Sequence, residues 1–428
     1  MPELTEIKLK SVSKKLIAEY RKLNPQIYQN SIRMAKKLRG RIVIHINSTL
    51  YGGGVAEILR SQVPLENSLG LKSYWLTMKA PRRFFVITKK IHNLLQGRAG
   101  LLTEKEKNFY LSINQEFGKS LRRFCKKFSS GIVVIHDPQP LPVISSIPDN
   151  FSSILRLHID LSTPNPNTLD FLRPLITKYS LTILSDPDYY RLSFPWLKKS
   201  KVKITFPAID PFSEKNRFMD NRVAEDIVKQ FSINPLKPIV TQISRFDPWK
   251  DPLGVIRAYY LAKNKIPELQ LVLAGFSVAK DDPEALTVFE KVKKHVKGDQ
   301  DIHLFSKPKK IKDMSIDTFI NALYTASLII IQKSLREGFG LTITEAMWKG
   351  KAVIAGLTEG ATLQIKNNKN GILVSTPEET ARAIVRLIKN EKLRNRLGKA
   401  AHQSVKRKFL MPRFILDSIN CYNQLINK

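Results

Sequence analysis

Cysteine is almost missing from this chain: 428 residues hold two, Cys125 and Cys421. They are far apart and form neither a CxxC pair nor a Cys/His cluster, which argues against a disulfide framework or a zinc site and fits a reducing cytoplasm. Long apolar runs are missing too. None approaches the roughly 20 residues that span a bilayer, and the start, Met1-Pro-Glu-Leu-Thr-Glu6, lacks the apolar core of a signal peptide. The expectation is a soluble, cytoplasmic protein. Neither GxGxxG nor GxxxxGK[ST] occurs, so a dinucleotide fingerprint and a P-loop are both unsupported. Acidic residues are scarce: 37 against 71 basic ones leave a net charge of +34. Such a balance attracts nucleic acid, anionic lipid or anionic metabolites. The basic residues are nonetheless dispersed, with small clusters at Lys198, Lys199, Lys201 and Lys203 and at Lys307, Lys309 and Lys310. No RNP-type aromatic pattern or reading helix accompanies them. Solvated faces account for most of this charge, and specific nucleic-acid recognition is not expected.

What the chain does have is length and alternation. At 428 residues, 43% of them hydrophobic, it can bury two cores of about 200 residues each. Residues 1–40 read as a helical, basic, partly amphipathic extension, with Leu9, Val12, Leu16, Ile17 and Tyr20 at mixed three-and-four spacing. From Arg41 the pattern becomes strand and helix in turn. Arg41–Ile46 reads as a buried strand, Asn47 to Gly54 as a polar loop with Gly52, Gly53 and Gly54, and Val55 starts a helix. Three glycines suit either a tight turn or close approach of a ligand. Ile132–Ile135 runs into His136-Asp137-Pro138-Gln139, and Ser153–Leu157 into His158-Ile159-Asp160. Ligands of open α/β sheets sit beyond the carboxyl ends of strands, so Asn47, His136 and His158 are expected to converge. Asp186-Pro187-Asp188 has the look of a metal-binding pair, but its proline and the following Tyr189-Tyr190 favour an ordinary turn, and no metal is expected.

The pattern breaks near Pro207. The domains therefore read as the extension 1–40, a first Rossmann-like domain 41–207, a second 208–400, and a C-terminal helix 401–428 that packs back on the first. In the second domain Ile239–Ser244 delivers Arg245 and Lys250 into the loop at its end, one planar fork and one point charge for an anion. Further strands are Leu269–Ala274, Ile302–Phe305 and Val353–Ala355. The centre of interest is Ser334 to Ala346, which follows the apolar run Ser327–Ile331. Strand, glycine turn, helix is its expected form, with the N–H groups of Gly338, Phe339, Gly340 and Leu341 at a helix N-terminus that favours phosphate. Glu337 and Glu345 stand eight positions apart there. A structural alternative exists for each: Thr342-x-x-Glu345 is a capping-box sequence, and Glu337 suits a solvated turn.

Taken together, a diphosphate carrying a ribose and a sugar would use these cations, amides and carboxylates. Glu337 to Glu345 resembles the E-x7-E motif of retaining glycosyltransferases of family 4. More closely, His45–Glu57, His136–Pro140, His158–Ser162, Ser244–Lys250 and Arg336–Gly350 resemble motifs of the trehalose glycosyltransferring synthases, in matching order from about residue 40 onward. The resemblance implies the GT-B fold: α/β, two doubly wound Rossmann-like domains facing a central cleft.

It also implies an activity, the retaining transfer of glucose from a nucleoside diphosphate glucose to free glucose, giving α,α-trehalose without a cofactor. By the same resemblance Glu345 holds the ribose, Glu337 and the amides of Gly338 to Leu341 hold the donor sugar and phosphate, and His158 holds an outer hydroxyl of that sugar. Arg245 and Lys250 neutralise the leaving diphosphate, which itself accepts the acceptor's proton. Asn47, Gly53, Gly54, Asp137, Gln139 and Asp160 are candidates for the sites on the first domain. One departure stands out: where those synthases carry paired glycines after the strand ending at Ala355, this chain has Thr358-Glu359-Gly360-Ala361. The charge is a second departure. It keeps open a family 4 transferase acting on another sugar or on an anionic lipid or polymer, with weak peripheral membrane contact, and a non-catalytic nucleic-acid binder on a transferase fold. A homodimer is compatible with all three.

Overall fold

The computed structural model describes residues 2–51, 53–276, 285–307, 311 and 314–426. Gly52 of the glycine loop, with Pro308, Lys309 and Lys310, lies outside the described residues. The chain divides into two compact units. The first takes in the residues up to Ala208 and again those from Met411 onward, and the second runs from Ile209 to Leu410.

The first unit is built on a seven-stranded sheet: β1 (Glu3–Ile7), β2 (Ile42–Asn47), β3 (Lys72–Lys79), β4 (Gly131–His136), β5 (Phe151–Arg156), β6 (Leu181–Leu184) and β7 (Val202–Ile204). Their spatial order is β1-β3-β2-β4-β5-β6-β7, parallel throughout except that β1 runs antiparallel to β3. Strands such as β2, with all six residues buried, read as unbroken apolar runs because helices cover both faces. The second unit has six parallel strands, β8 (Ile239–Ile243), β9 (Gln270–Ala274), β10 (Ile302–Phe305), β11 (Ile329–Gln332), β12 (Ala352–Gly356) and β13 (Ile372–Val374), in the order β10-β9-β8-β11-β12-β13. Each sheet has its own apolar core.

Both orders reverse direction once. The first chain segment builds outward from β2 to β3 and then returns to place β4 on the other side of β2. The second builds from β8 through β9 to β10 and returns to place β11 beside β8. Crevices at such reversals, beyond the carboxyl ends, are where ligands of open α/β sheets bind. They fall at Asn47 and His136 in one unit and at Arg245 and Glu337 in the other.

Two expectations are corrected. Residues 1–40 are not wholly helical: Glu3–Ile7 is an edge strand that pairs antiparallel with β3, and its two apolar residues, three apart, face opposite sides of the sheet, Leu4 against the first core and Ile7 against the cluster around Trp75. Helices follow at Lys14–Leu23 and Pro25–Ala35, capped by the side chains of Ser13 and Asn24. The second boundary lies at Leu410 rather than residue 400. The helix Glu391–Lys408 stays in the second unit because Leu397, Ala401 and Val405 are buried there. Gly398 permits the contact, since a Cβ would stand 2.0 Å from the Gly350 carbonyl oxygen. Only the last helix, Met411–Ile426, belongs with the first unit, where Arg413 Nη2 donates to the carbonyls of Phe206 and Pro207 at 2.8 and 3.0 Å.

Candidate active site

In the second unit the loops after β8 and β11 are stitched together. Gln242 Nε2 donates to the Lys250 carbonyl at 2.9 Å, Lys333 N donates to Gln242 Oε1 at 3.1 Å, and Leu335 N donates to the Trp249 carbonyl at 2.7 Å. Asp251 takes a left-handed φ of 45°, accepts from Gly254 N at 3.0 Å to cap the helix Pro252–Lys263, and is ion-paired with buried Lys333. These bonds fix the backbone that carries Arg245 and Lys250.

Glu337 is not a solvated turn residue. It is 8% exposed; Lys250 Nζ donates to its Oε2 at 2.5 Å and Ser334 Oγ to the same oxygen at 3.1 Å. Arg245, in the loop after β8 that also carries Lys250, lies 3.8 Å from the Asp247 carboxylate. The helix Leu341–Trp348 starts immediately after Gly340, whose φ of 83° only glycine adopts readily. Gly338 to Leu341 thus form the turn and the first helical residue, as the sequence pattern predicts.

The capping-box alternative for Glu345 does not occur: the helix is capped at Gly340 without a side chain. Glu345 instead is 1% exposed, bonded by Lys215 Nζ at 2.6 Å and by Tyr324 OH at 2.8 Å. Neither partner was legible in the sequence, since each comes from a distant segment. Gln364 was missed as well. Its Nε2 donates to the carbonyls of Phe339, Gly340 and Gly360, and its Oε1 accepts from Thr344 Oγ1 at 2.6 Å.

The departure Thr358–Ala361 lies directly against this turn. Gly360 N donates to the Glu337 carbonyl at 3.0 Å, and a Cβ at 360 would stand 2.6 Å from both that oxygen and Phe339 N. Thr358 caps the short helix Glu359–Thr362.

In the first unit, register explains how three histidines meet. His45 pairs with Val134 on β4, and His136 lies two residues further along; His136 pairs with Arg156 on β5, and His158 lies two further again. Steps of two keep the same sheet face, so the imidazoles form a diagonal row. His45 Nδ1 is 3.1 Å from His136 Nε2, and His136 Nδ1 is 3.0 Å from His158 Nε2. Burial, followed by the neighbouring charges of His158, His45 and Arg156, holds His136 well below the usual histidine range. Burial and then Arg156 do the same for His158. Both rings are neutral near pH 7.

The other first-unit candidates are placed by this scaffold. Asp137, at a left-handed φ of 65°, accepts from His158 N at 2.7 Å. Asp160 Oδ1 accepts from Ser162 N and Oγ at 2.9 and 2.7 Å. Asn47 accepts from Trp75 Nε1 at 2.7 Å and donates to the Thr49 carbonyl at 2.7 Å. Gln139 is 8% exposed, and its Oε1 has no hydrogen-bond partner among the described residues. Gly53 precedes the helix Gly54–Ser68 in extended conformation, and a Cβ there would meet nothing within 4 Å. Glycine at 53 is therefore not required by turn geometry or by packing among the described residues. Asp186 caps the helix Pro187–Ser193 by accepting from Asp188 N at 2.8 Å. Among the described residues no group of three or more His, Cys, Asp or Glu could hold a metal ion, and no helix is long and apolar enough to cross a membrane.

Comparison with known proteins adds to this geometry. Residues 45–191 match the family described as trehalose synthase, N-terminal domain, and residues 223–404 match glycosyl transferases group 1. The chain is 38% identical to the trehalose synthase of Pyrococcus horikoshii over 98% of its own length and 99% of the relative's. It is 37% identical to that of Rubrobacter xylanophilus over 96% and 97%. Its fold matches the α,α-trehalose-phosphate synthase (UDP-forming) of Burkholderia vietnamiensis, a GT-B protein, with a TM-score of 0.70, 13% identity, and coverage of 90% of this chain and 96% of that one.

Proposed function

From a chain that belongs to the trehalose synthase family of GT-B glycosyltransferases, and so to enzymes of trehalose metabolism, we propose a specific reaction. Glucose passes with retention from a nucleoside diphosphate glucose to free glucose, giving α,α-trehalose and the nucleoside diphosphate. The observation that supports this most is the Glu337–Lys250 bond of 2.5 Å at the sheet reversal, on the same loops as Arg245 and in front of a helix N-terminus.

That arrangement suits a sugar diphosphate. Lys250 has three donors, so it keeps Glu337 in place with one and offers the others to phosphate. Arg245 adds a planar fork, and the turn Gly338–Leu341 adds backbone amides with the helix dipole behind them. As the C1–O bond to phosphate breaks, negative charge grows on the leaving diphosphate, and these groups meet it without rearranging. The hydroxyl oxygen of the acceptor bonds to C1 on the face the diphosphate leaves, and its proton passes to a departing phosphate oxygen. Glu337 serves the sugar hydroxyls and Glu345, held by Lys215 and Tyr324, the ribose. On the first unit, His158, Asp160, Asp137, Gln139 and the open approach at Gly53 and Asn47 serve sugar hydroxyls. The unpartnered Gln139 Oε1 supports a ligand donor there.

The experiment is incubation of the protein with a panel of nucleoside diphosphate sugars and simple sugars, products identified by mass. Trehalose from a nucleotide glucose and glucose is expected, with Arg245→Ala and Glu337→Ala each lowering turnover about 10²–10³-fold. Unchanged turnover in both variants would refute the site, and a different acceptor would refute the reaction.

A further inference from the structure

The row of histidines does not end in the core. Its inner end is Glu66, fully buried on the helix Gly54–Ser68, with Oε2 3.1 Å from His45 Nε2. Ser73 Oγ also donates to Glu66 Oε2, at 2.6 Å, while Gln62 Nε2 and Tyr422 OH donate to Oε1 at 2.7 and 2.8 Å. Burial works to raise this carboxyl's pKa. The neighbouring His45 and the hydrogen bonds from His45, Ser73 and Gln62 outweigh it and hold the group below its ordinary value. Glu66 is therefore a carboxylate, which can only accept.

With one proton on each ring, the ordinary state of imidazole at about pH 8, the direction of every bond in the row follows from that end. His45 must donate from Nε2 to Glu66. With one proton on the ring, His45 Nδ1 is a lone pair, so His136 donates from Nε2. His136 Nδ1 is then a lone pair as well, so His158 donates from Nε2. The remaining nitrogen of half-buried His158, Nδ1, is left as an acceptor. We propose that Glu66 is a positioning residue acting through His45 and His136: it fixes His158 with its Nδ1 lone pair outward, so that His158 accepts a hydrogen bond from a hydroxyl of the bound sugar. The sugar rests on the function proposed above; the fixed polarity of the row does not.

A row that merely filled space would leave the outer ring's tautomer to its own surroundings. The test reads that tautomer directly, by nitrogen-15 spectroscopy of imidazole-labelled, ligand-free protein at about pH 8, where histidine is ordinarily neutral. Single His→Gln replacements assign the rings. All three rings are expected as Nε2–H with a bare Nδ1, and a His158 protonated on Nδ1 overturns the proposal. His45→Phe then removes the link while leaving Glu66 its bonds to Ser73, Gln62 and Tyr422. His158 is expected to shift to the Nδ1–H form, and kcat/KM for glucose transfer to fall about tenfold or more, with nucleoside diphosphate affinity within about twofold. A His158 that stays in its Nε2–H form shows that the row does not set it, and overturns the proposal. His136→Phe severs the next link and gives the same reading where His45→Phe does not fold. The spectra decide the proposal even where no glucose is transferred, so its failure and that of the proposed reaction remain distinguishable.

Discussion

Gly360→Ala is the sharpest perturbation available, because the three atoms nearest the added methyl all belong to the backbone. Its Cβ would stand 2.6 Å from the Glu337 carbonyl oxygen, 2.6 Å from Phe339 N and 2.7 Å from Phe339 Cα. Ordinary contact begins near 3.4 Å, so the turn that carries Glu337, or the helix Glu359–Thr362, must retreat by about 0.7–0.8 Å. No flexible side chain can absorb this, and the hydrogen bond from Gly360 N to Glu337 O lengthens with it. Overpacking of this kind costs about 2 kcal/mol, which for a unit of this size lowers Tm by about 4–8 °C. Activity suffers more. Glu337 and its partner Lys250 move together with the helix N-terminus, and a displacement near 1 Å costs up to about 10²-fold in rate. Thermal unfolding and kcat/KM for glucose transfer measure the two effects. A variant within 1 °C of the parent in Tm and within about twofold in kcat/KM would refute the claim that Gly360 holds the turn.

Four other expectations follow from the same structure. Gly53→Ala, whose Cβ meets nothing within 4 Å, is expected to leave stability within about 0.5 kcal/mol while raising the acceptor KM roughly tenfold, as steady-state kinetics with varied glucose would show. Lys215→Met strands the Glu345 carboxylate at 1% exposure and is expected to cost about 3–5 kcal/mol in urea unfolding, more than Tyr324→Phe, which removes one hydrogen bond. Lys250→Met and Glu337→Gln share one bond, so the double variant should lose far less than the product of the single losses in kcat, and strict additivity would count against their pairing. For pH, His136 and His158 have folded-state pKa values below the ordinary 6.5. The stability they contribute is complete above that value and is lost as pH falls below it, because the unfolded chain takes up the protons first. Urea titrations should show stability falling below pH 6.5 by up to about 2.7 kcal/mol per pH unit for two protons, with about half that slope from these groups in His136→Phe.

Much of this was readable from residue order alone. Strand and helix alternate with the right periods, and each apolar run ends in a residue able to do chemistry, because a parallel sheet buried on both faces leaves only its strand ends for polar side chains. Arg245, Lys250 and the Glu337–Glu345 stretch are local in sequence, so their spacing was enough to single them out. Strand β1 was missed because five residues of mixed polarity carry too little periodicity to outweigh the helical pattern after them. The tertiary structure alone decided the partnerships. Lys215 and Tyr324 on Glu345, Gln364 under the glycine turn, and Glu66 behind three histidines are joined across many intervening residues, and no spacing rule connects them. Sequence determines which groups stand at the ends of the strands; register and packing decide which of them touch, since a shift of a single residue would turn each histidine of the row to the other face of the sheet.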